Sequence, residues 1–266
     1  MKEVGPGNSG VFATGDIKEG DILMFIPREM IITLEEAEHS PTFEKLVKKN
    51  VLQRLGLPQS DLMFKLFLME ERRNPESTWT NYLQTTPKDW TAFPPLYDND
   101  DALMFDGSFF IRSVVDFKKA MASEYDTISK KLKDFGKTYS YQEFMETFLL
   151  KSSRSMTLNI HSEEVSIQAI VPYADFINHS STPNVEWEYS EEDKMLGLVI
   201  KATEDIPQGE QLFAVYGQDK SNEQLLRAYG FIDPTHMWTG ENIKMKLKMS
   251  EDVPFADQKK EMLEDT

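Results

Sequence analysis

The chain has 266 residues, 40% of them hydrophobic, enough apolar material for one large domain or two intimate ones that fold without covalent staples. It contains no cysteine, which excludes disulfides, a thiolate nucleophile and a cysteine-ligated zinc; its 4 histidines lack HExxH spacing, so chemistry without a metal is expected. A formal net charge of -16 argues against nonspecific nucleic-acid binding and suits a soluble protein or one that meets basic partners, and no stretch reaches the roughly 18 to 20 apolar residues of a membrane span.

The first seven residues carry no apolar run and do not read as a signal peptide. Residues 10–33 read as short strands broken by turns: Val11-Phe12-Ala13, then Ile22-Leu23-Met24-Phe25-Ile26, ended by Pro27. The turn at 13–23 is echoed at 202–212, with six of eleven positions matching; each copy has an acidic-Ile step, a Gly that relaxes a tight turn, and a strand opening. The two modules are expected to be built alike and to belong to one sheet system interrupted by an insertion.

That insertion, 41–155, reads as helical. Phe43, Leu46, Val47, Leu52 and Leu55 share a helical face that Gly56 and Pro58 stop, and 61–69 is apolar on nearly every side, as in a buried helix. Ser113 with Asp116 is a weak capping-box variant opening a long helix, whereas Ser140 with Glu143 is a cleaner one leading to Phe144 and Phe148. The β pattern returns at 165–167, 185–189, 195–202 and 212–216. Ser221 and Gln224 then box a short helix that ends at Gly230. Alternating Ile243, Met245, Leu247 and Met249 predict one more strand before an acidic tail.

Four segments carry candidate chemistry. Gly7-Asn8-Ser9-Gly10-Val11 lets backbone approach a ligand, but it is neither a dinucleotide fingerprint nor a phosphate loop. Arg154, in Ser153-Arg154-Ser155, offers a planar donor fork suited to a carboxylate, or simply solvates a helix end. Asp175, Asn178 and His179 lie where a strand gives way to a turn; Asn178 both donates and accepts, and His179 has two distinct ring nitrogens. Tyr216, Tyr229 and Phe231 can share a pocket without sharing a strand, or be ordinary core.

Together, Asp175-Phe176-Ile177-Asn178-His179-Ser180, Ala214-Val215-Tyr216-Gly217 and Tyr229-Gly230-Phe231 resemble the SET-domain protein methyltransferases, most closely the branch typified by the Rubisco large-subunit lysine methyltransferase. The resemblance spans roughly residues 1–240. It implies a mostly β SET-domain fold, small sheets with a pseudoknot-like C-terminal crossing, interrupted by the large α-helical insertion, with 241–266 opening a truncated C-terminal substrate-binding region. S-adenosyl-L-methionine is the implied cofactor and S-adenosyl-L-homocysteine the product. The implied cofactor contacts are backbone from Asn8, Ser9 and Val11, then Arg154, Asn178, His179, Tyr216 and Phe231, with no metal. Tyr216 and Tyr229 are the implied catalytic pair, while Asp175, Met156, Tyr229 and Phe231 shape the target channel or stand behind it.

The implied reaction is in-line methyl transfer to a neutral lysine amine of a protein partner with a basic segment. In the related branch that methylates a histidine of actin, an Asn stands where this chain has Met156, and the tyrosine of Tyr229-Gly230-Phe231 is lacking; both departures point to lysine. A protein-histidine methyltransferase of the same fold and a noncatalytic module binding basic peptides are the other readings. A monomer that binds neither nucleic acid nor membrane is expected, in the cytoplasm or, second, the nucleus.

Overall fold

The computed structural model describes residues 2–5, 8–40, 59–160, 162, 164–192, 194–217 and 220–235. The helix expected near 41–55, the strand expected at 243–249 and the tail beyond it lie outside the described residues. Among the described residues, ten strands run in chain order: β1 Lys2–Gly5, β2 Asn8–Gly10, β3 Ile22–Pro27, β4 Ile32–Thr33, β5 Ser155–Ile160, β6 Val165–Ile170, β7 Asn178–His179, β8 Val185–Ser190, β9 Gly197–Ala202 and β10 Phe213–Ala214. They form small sheets: β1-β2, β3-β9-β8 and β4-β6-β5, all antiparallel, and a parallel pair of β10 with β7. β9 is the central strand of its sheet, and Leu198, Val199 and Ile200 are all buried. A strand covered on both faces has no alternation to show.

The two echoed turns face each other. Ile17 and Ile206, equivalent positions of the echo, exchange reciprocal backbone hydrogen bonds of 2.9 Å each. Asp16 accepts from the Gln208 N–H at 3.0 Å, and Asp205 accepts from the Glu19 N–H at 3.0 Å, the same contact made from each copy to the other. Gly20 and Gly209 hold φ of 85° and 91°, left-handed values that cost glycine little. A local two-fold therefore closes the β modules across the insertion.

Among the described residues, helices occupy the insertion: α1 Leu34–His39, α2 Gln59–Glu71, α3 Thr80–Thr85, α4 Asn99–Leu103, α5 Phe109–Lys131, α6 Phe135–Thr138 and α7 Tyr141–Arg154, with α8 Asn222–Tyr229 following the sheets. They build their own core around Phe67, Phe135, Phe144 and Ile128, separate from the sheet core of Ile31, Val171, Leu198 and Ile200. The boxes at Ser140 and Ser221 both form, and Gly230 caps α8 at φ 78°. The expected cap at Ser113 is wrong: α5 starts earlier, at Ser108, whose oxygen accepts from the Ile111 N–H, and the Ser113 hydroxyl instead donates back to the Phe110 carbonyl. A serine one turn inside a helix satisfies itself on the preceding turn and so mimics a start. No described helix is long and apolar enough to cross a membrane.

Candidate active site

The last turn of α7 runs straight into β5, which fixes Arg154 and Met156 at the junction of insertion and sheets. Asp175 sits on a one-turn 3-10 helix behind Tyr173, a non-glycine residue at φ 70°. Parallel pairing of β7 with β10 then sets Asn178-His179 beside Phe213-Ala214, and the chain beyond β10 carries Tyr216.

Each side chain is held. His179 Nδ1 accepts the Tyr216 N–H at 3.0 Å, which places the ring proton of a neutral imidazole on Nε2, 3.9 Å from Asp233 Oδ2. The Tyr216 hydroxyl donates to the Ile177 carbonyl at 2.9 Å, and its ring lies 4.8 Å from that of Tyr229. Phe231 backs the pair, 5.8 Å from the His179 ring and 6.1 Å from Tyr229. Asn178 Nδ2 donates to the Ser9 carbonyl at 3.1 Å, and a Cβ on Gly10 would sit 3.2 Å from that nitrogen and 2.3 Å from Gln211 Nε2, so the glycine is what lets β2 close on this corner.

Arg154 Nη1 donates to Asp175 Oδ2 at 2.7 Å, and the Tyr82 hydroxyl donates to the same oxygen at 2.5 Å. Burial pushes the Asp175 carboxyl above its ordinary value, with the Arg154 guanidinium pulling against the rise. Burial likewise works against the charge on Arg154, but the Asp175 carboxylate together with Tyr82 and Tyr216 outweighs it and holds the guanidinium above its ordinary value. Burial also pushes the Tyr216, Tyr229 and Tyr82 phenols up, so all three stay neutral.

Arg154, Met156, Asp175, Trp187, Tyr216 and Tyr229 line a cavity of about 560 Å³. His179 and Phe231 pack against Tyr216, and Ser9 reaches the site through its carbonyl on Asn178; Val11 is not among the lining residues. A larger cavity, about 710 Å³, adjoins it across Lys151 and Gln168 but is lined by none of the motif residues. Sequence reasoning missed Tyr82, Trp187 and Lys220, whose Nζ donates to the Tyr216 carbonyl at 2.9 Å. Only Lys220, four residues after Tyr216, carried a positional hint.

Residues 8–217 match the SET domain, and the chain belongs to the SET-domain family. It is similar to the actin-histidine N-methyltransferases of Danio rerio, 26% identical over 267 residues, and Homo sapiens, 24% over 265 residues; each match covers 96% of this chain and 42% of the relative. The chain thus spans less than half the length of these curated relatives. Among solved structures, the SET domain of LSMT bound to lysine and AdoHcy superposes with a TM-score of 0.76 at 23% identity, covering 100% of this chain and 59% of that one. Rubisco LSMT bound to AdoMet gives 0.72 at 24%, covering 99% and 58%.

These findings confirm the SET fold with its helical insertion and correct two expectations. The chain is not placed specifically on the Rubisco branch, and the lysine target is overturned, because the curated relatives are directed at histidine. The physical reason lies in what Met156 and Tyr229 do. They supply apolar and aromatic wall to the cavity, and such a wall accepts a flat imidazole as readily as an alkyl amine.

Proposed function

We propose that the chain is the SET portion of an S-adenosylmethionine-dependent protein-histidine N-methyltransferase, with actin the first candidate substrate. The observation that carries this reading is the convergence of Arg154-Asp175, the His179-held Tyr216 and Tyr229 on one cavity, in a chain similar over 96% of its length to actin-histidine N-methyltransferases. On this reading residues 1–240 are the SET domain, 41–155 its insertion, and 241–266 the opening of a substrate-binding region. The target segment carries basic residues that meet the acidic chain, which acts as a monomer.

The residues present fit the donor. The cavity has aromatic faces for a sulfonium, from Tyr216 and Tyr229, and a buried carboxylate, Asp175. When bound, S-adenosylmethionine supplies a methyl group on positive sulfur. Tyr216, anchored through its hydroxyl on Ile177 and its N–H on His179, fixes one wall of the transfer line; Tyr229 fixes the other and keeps water out. The imidazole lone pair forms the new N–C bond while the electron pair of the S–C bond stays on sulfur, leaving a thioether and a methylimidazolium. An imidazole with a pKa of about 6.5 is already largely neutral at pH 7, so no general base has to be found among these residues.

The test is transfer of labelled methyl from S-adenosylmethionine to actin and to whole-cell protein, with labelled residues mapped by mass spectrometry. Label on histidine that falls with Tyr216→Phe supports the reading. Label on lysine alone, or donor binding with no transfer to any protein, sinks it. The rate should climb through roughly pH 6.5 and then level off. Because burial raises the Tyr216 and Tyr229 phenols above their ordinary 10.0, no descending limb from them is expected below that pH.

A further inference from the structure

We propose that Lys220 is a specificity-determining residue, which takes a carboxylate standing next to the target histidine in the substrate chain. The proposal rests on the histidine reading above and adds a local exception to its charge pattern. The chain as a whole carries 45 acidic against 29 basic residues, which suits basic residues in the more distant parts of a partner. Inside the cavity the sign is reversed. Among the described residues that line it, Lys151, Arg154 and Lys220 are cations and Asp175 is the single carboxylate.

Two of these cations are answered from within the protein. Arg154 meets Asp175 at 2.7 Å, and Lys151 meets Asp61 at 2.6 Å. Lys220 is half-buried and has no carboxylate partner among the described residues; its Nζ donates to a neutral acceptor, the Tyr216 carbonyl, at 2.9 Å. An ammonium has three N–H donors, so this bond fixes the charge on the backbone that carries Tyr216 and leaves the others for a ligand. Gly217 makes the arrangement possible. A Cβ there would come 2.4 Å from Lys220 Nζ and 3.2 Å from its Cγ, and the backbone φ of 150° is one that glycine adopts at little cost. A lysine ordinarily extends its head into water, whereas this one is folded back over the cavity wall.

Charge complementarity names the group that completes it. In a cavity partly closed to water, a cation without a counter-charge attracts an anion more strongly than the same cation on an open surface. On the reading above, the target ring lies at the wall formed by Tyr216 and Tyr229, and Lys220 belongs to that wall. Successive residues of a chain are about 3.8 Å apart, so the side chain that reaches Lys220 comes from a residue flanking the target. An Asp or Glu at that position carries the required charge; a Lys or Arg is repelled.

The methyl donor also brings a carboxylate, and the experiment separates the two sources. Peptides holding the target histidine of actin are made identical except for one flanking residue, which is Glu, Gln or Lys in turn on either side. Their affinity in the presence of S-adenosylhomocysteine and their kcat/KM are measured for wild type, Lys220→Arg, Lys220→Met and Lys220→Glu, with donor affinity measured separately. At one flanking position wild type should prefer Glu over Gln by roughly 5- to 20-fold, and Gln over Lys by a similar factor. Lys220→Arg should keep that order, Lys220→Met level it and Lys220→Glu reverse it, while donor affinity stays within about twofold. The preference is the readout, because loss of the bond to the Tyr216 carbonyl lowers the rate on every peptide alike. A wild-type preference below about twofold at both positions overturns the proposal, as does one that Lys220→Met retains. Donor affinity that falls with Lys220→Met while the peptides are not distinguished assigns the ammonium to the donor's carboxylate and also overturns it. If the variants do not fold, wild type alone decides by the same threshold. Binding that follows the charge order without transfer to any peptide supports the role of Lys220 and removes the histidine reading, so the two failures are distinguishable.

Discussion

α7 carries two cations three residues apart, and each enters a charge cluster of different character. Lys151 donates to Asp61 Oδ1 at 2.6 Å, and Lys65, 1% exposed, lies 3.0 Å from Asp61 Oδ2 and 2.6 Å from Glu124, with its ammonium 5.2 Å from the Phe144 ring centroid. In that cluster every carboxylate is answered. Arg154, one turn on, meets Asp175, whose Oδ2 takes both the Arg154 and the Tyr82 hydrogen bonds. The acids respond in opposite directions: burial acts to raise Asp61, but Lys65 and Lys151 overcome it and hold its carboxyl below the ordinary value, whereas burial prevails at Asp175. The first cluster fastens helices to one another, whereas the second lies at the wall of the cavity and fixes residues that line it.

Breaking the Asp175 cluster should cost most. Arg154→Met leaves Asp175 buried with only Tyr82 as donor, and a stranded buried charge costs about 3 to 5 kcal/mol. Urea unfolding should show that loss; a change under about 1 kcal/mol would mean that solvent reaches Asp175. Next comes Tyr216→Phe, which removes the hydroxyl held by Ile177 but neither the ring nor the backbone link to His179. Transfer should fall about 10²-fold, near 2.7 kcal/mol in the barrier, with stability shifted by less than about 1 kcal/mol.

Breaking the Asp61 cluster should cost less and leave chemistry alone. Lys65→Met deprives Glu124 of its partner, but Asp61 keeps Lys151, so a loss of about 2 kcal/mol is expected with kcat and KM unchanged below the melting transition. A changed KM would mean that the insertion core is coupled to the site through α7.

The site was legible where its side chains are neighbours in sequence. Asn178-His179 and Tyr216 sit in short segments that a parallel two-residue pairing brings together, and Gly230 ends α8 beside Phe231 in the left-handed conformation that a glycine there permits. Tyr82 was not legible. It reaches Asp175 from 93 residues away, and an isolated tyrosine on a short helix has no pattern to betray it. The echo of 13–23 at 202–212 foretold two like modules, but that they pair with each other at Ile17 and Ile206 depends on chain reversal over the insertion, which local sequence does not encode. Target choice was misread because Met156 and Tyr229 were weighed as discriminating contacts, when both are wall.

The smallest expected effect is the sharpest test of the contrast between the two acids, because its sign differs for each. Asp61 is held below its ordinary 3.8, so its contribution is present above that pH and is lost as pH falls through the folded-state value. Asp175 is held above 3.8, so its contribution is present below that pH and lost as pH rises through its own folded-state value. Urea midpoints of wild type and Asp61→Asn should therefore differ at about pH 6 and converge toward about pH 3, as wild type loses what the variant never had. The gap should be a fraction of a kcal/mol, because the Asp61 side chain is 40% exposed and solvent screens its pairs. Curves that run parallel over this range would show that Lys65 and Lys151 do not hold Asp61 in its charged form, and that the two clusters on α7 differ in placement alone.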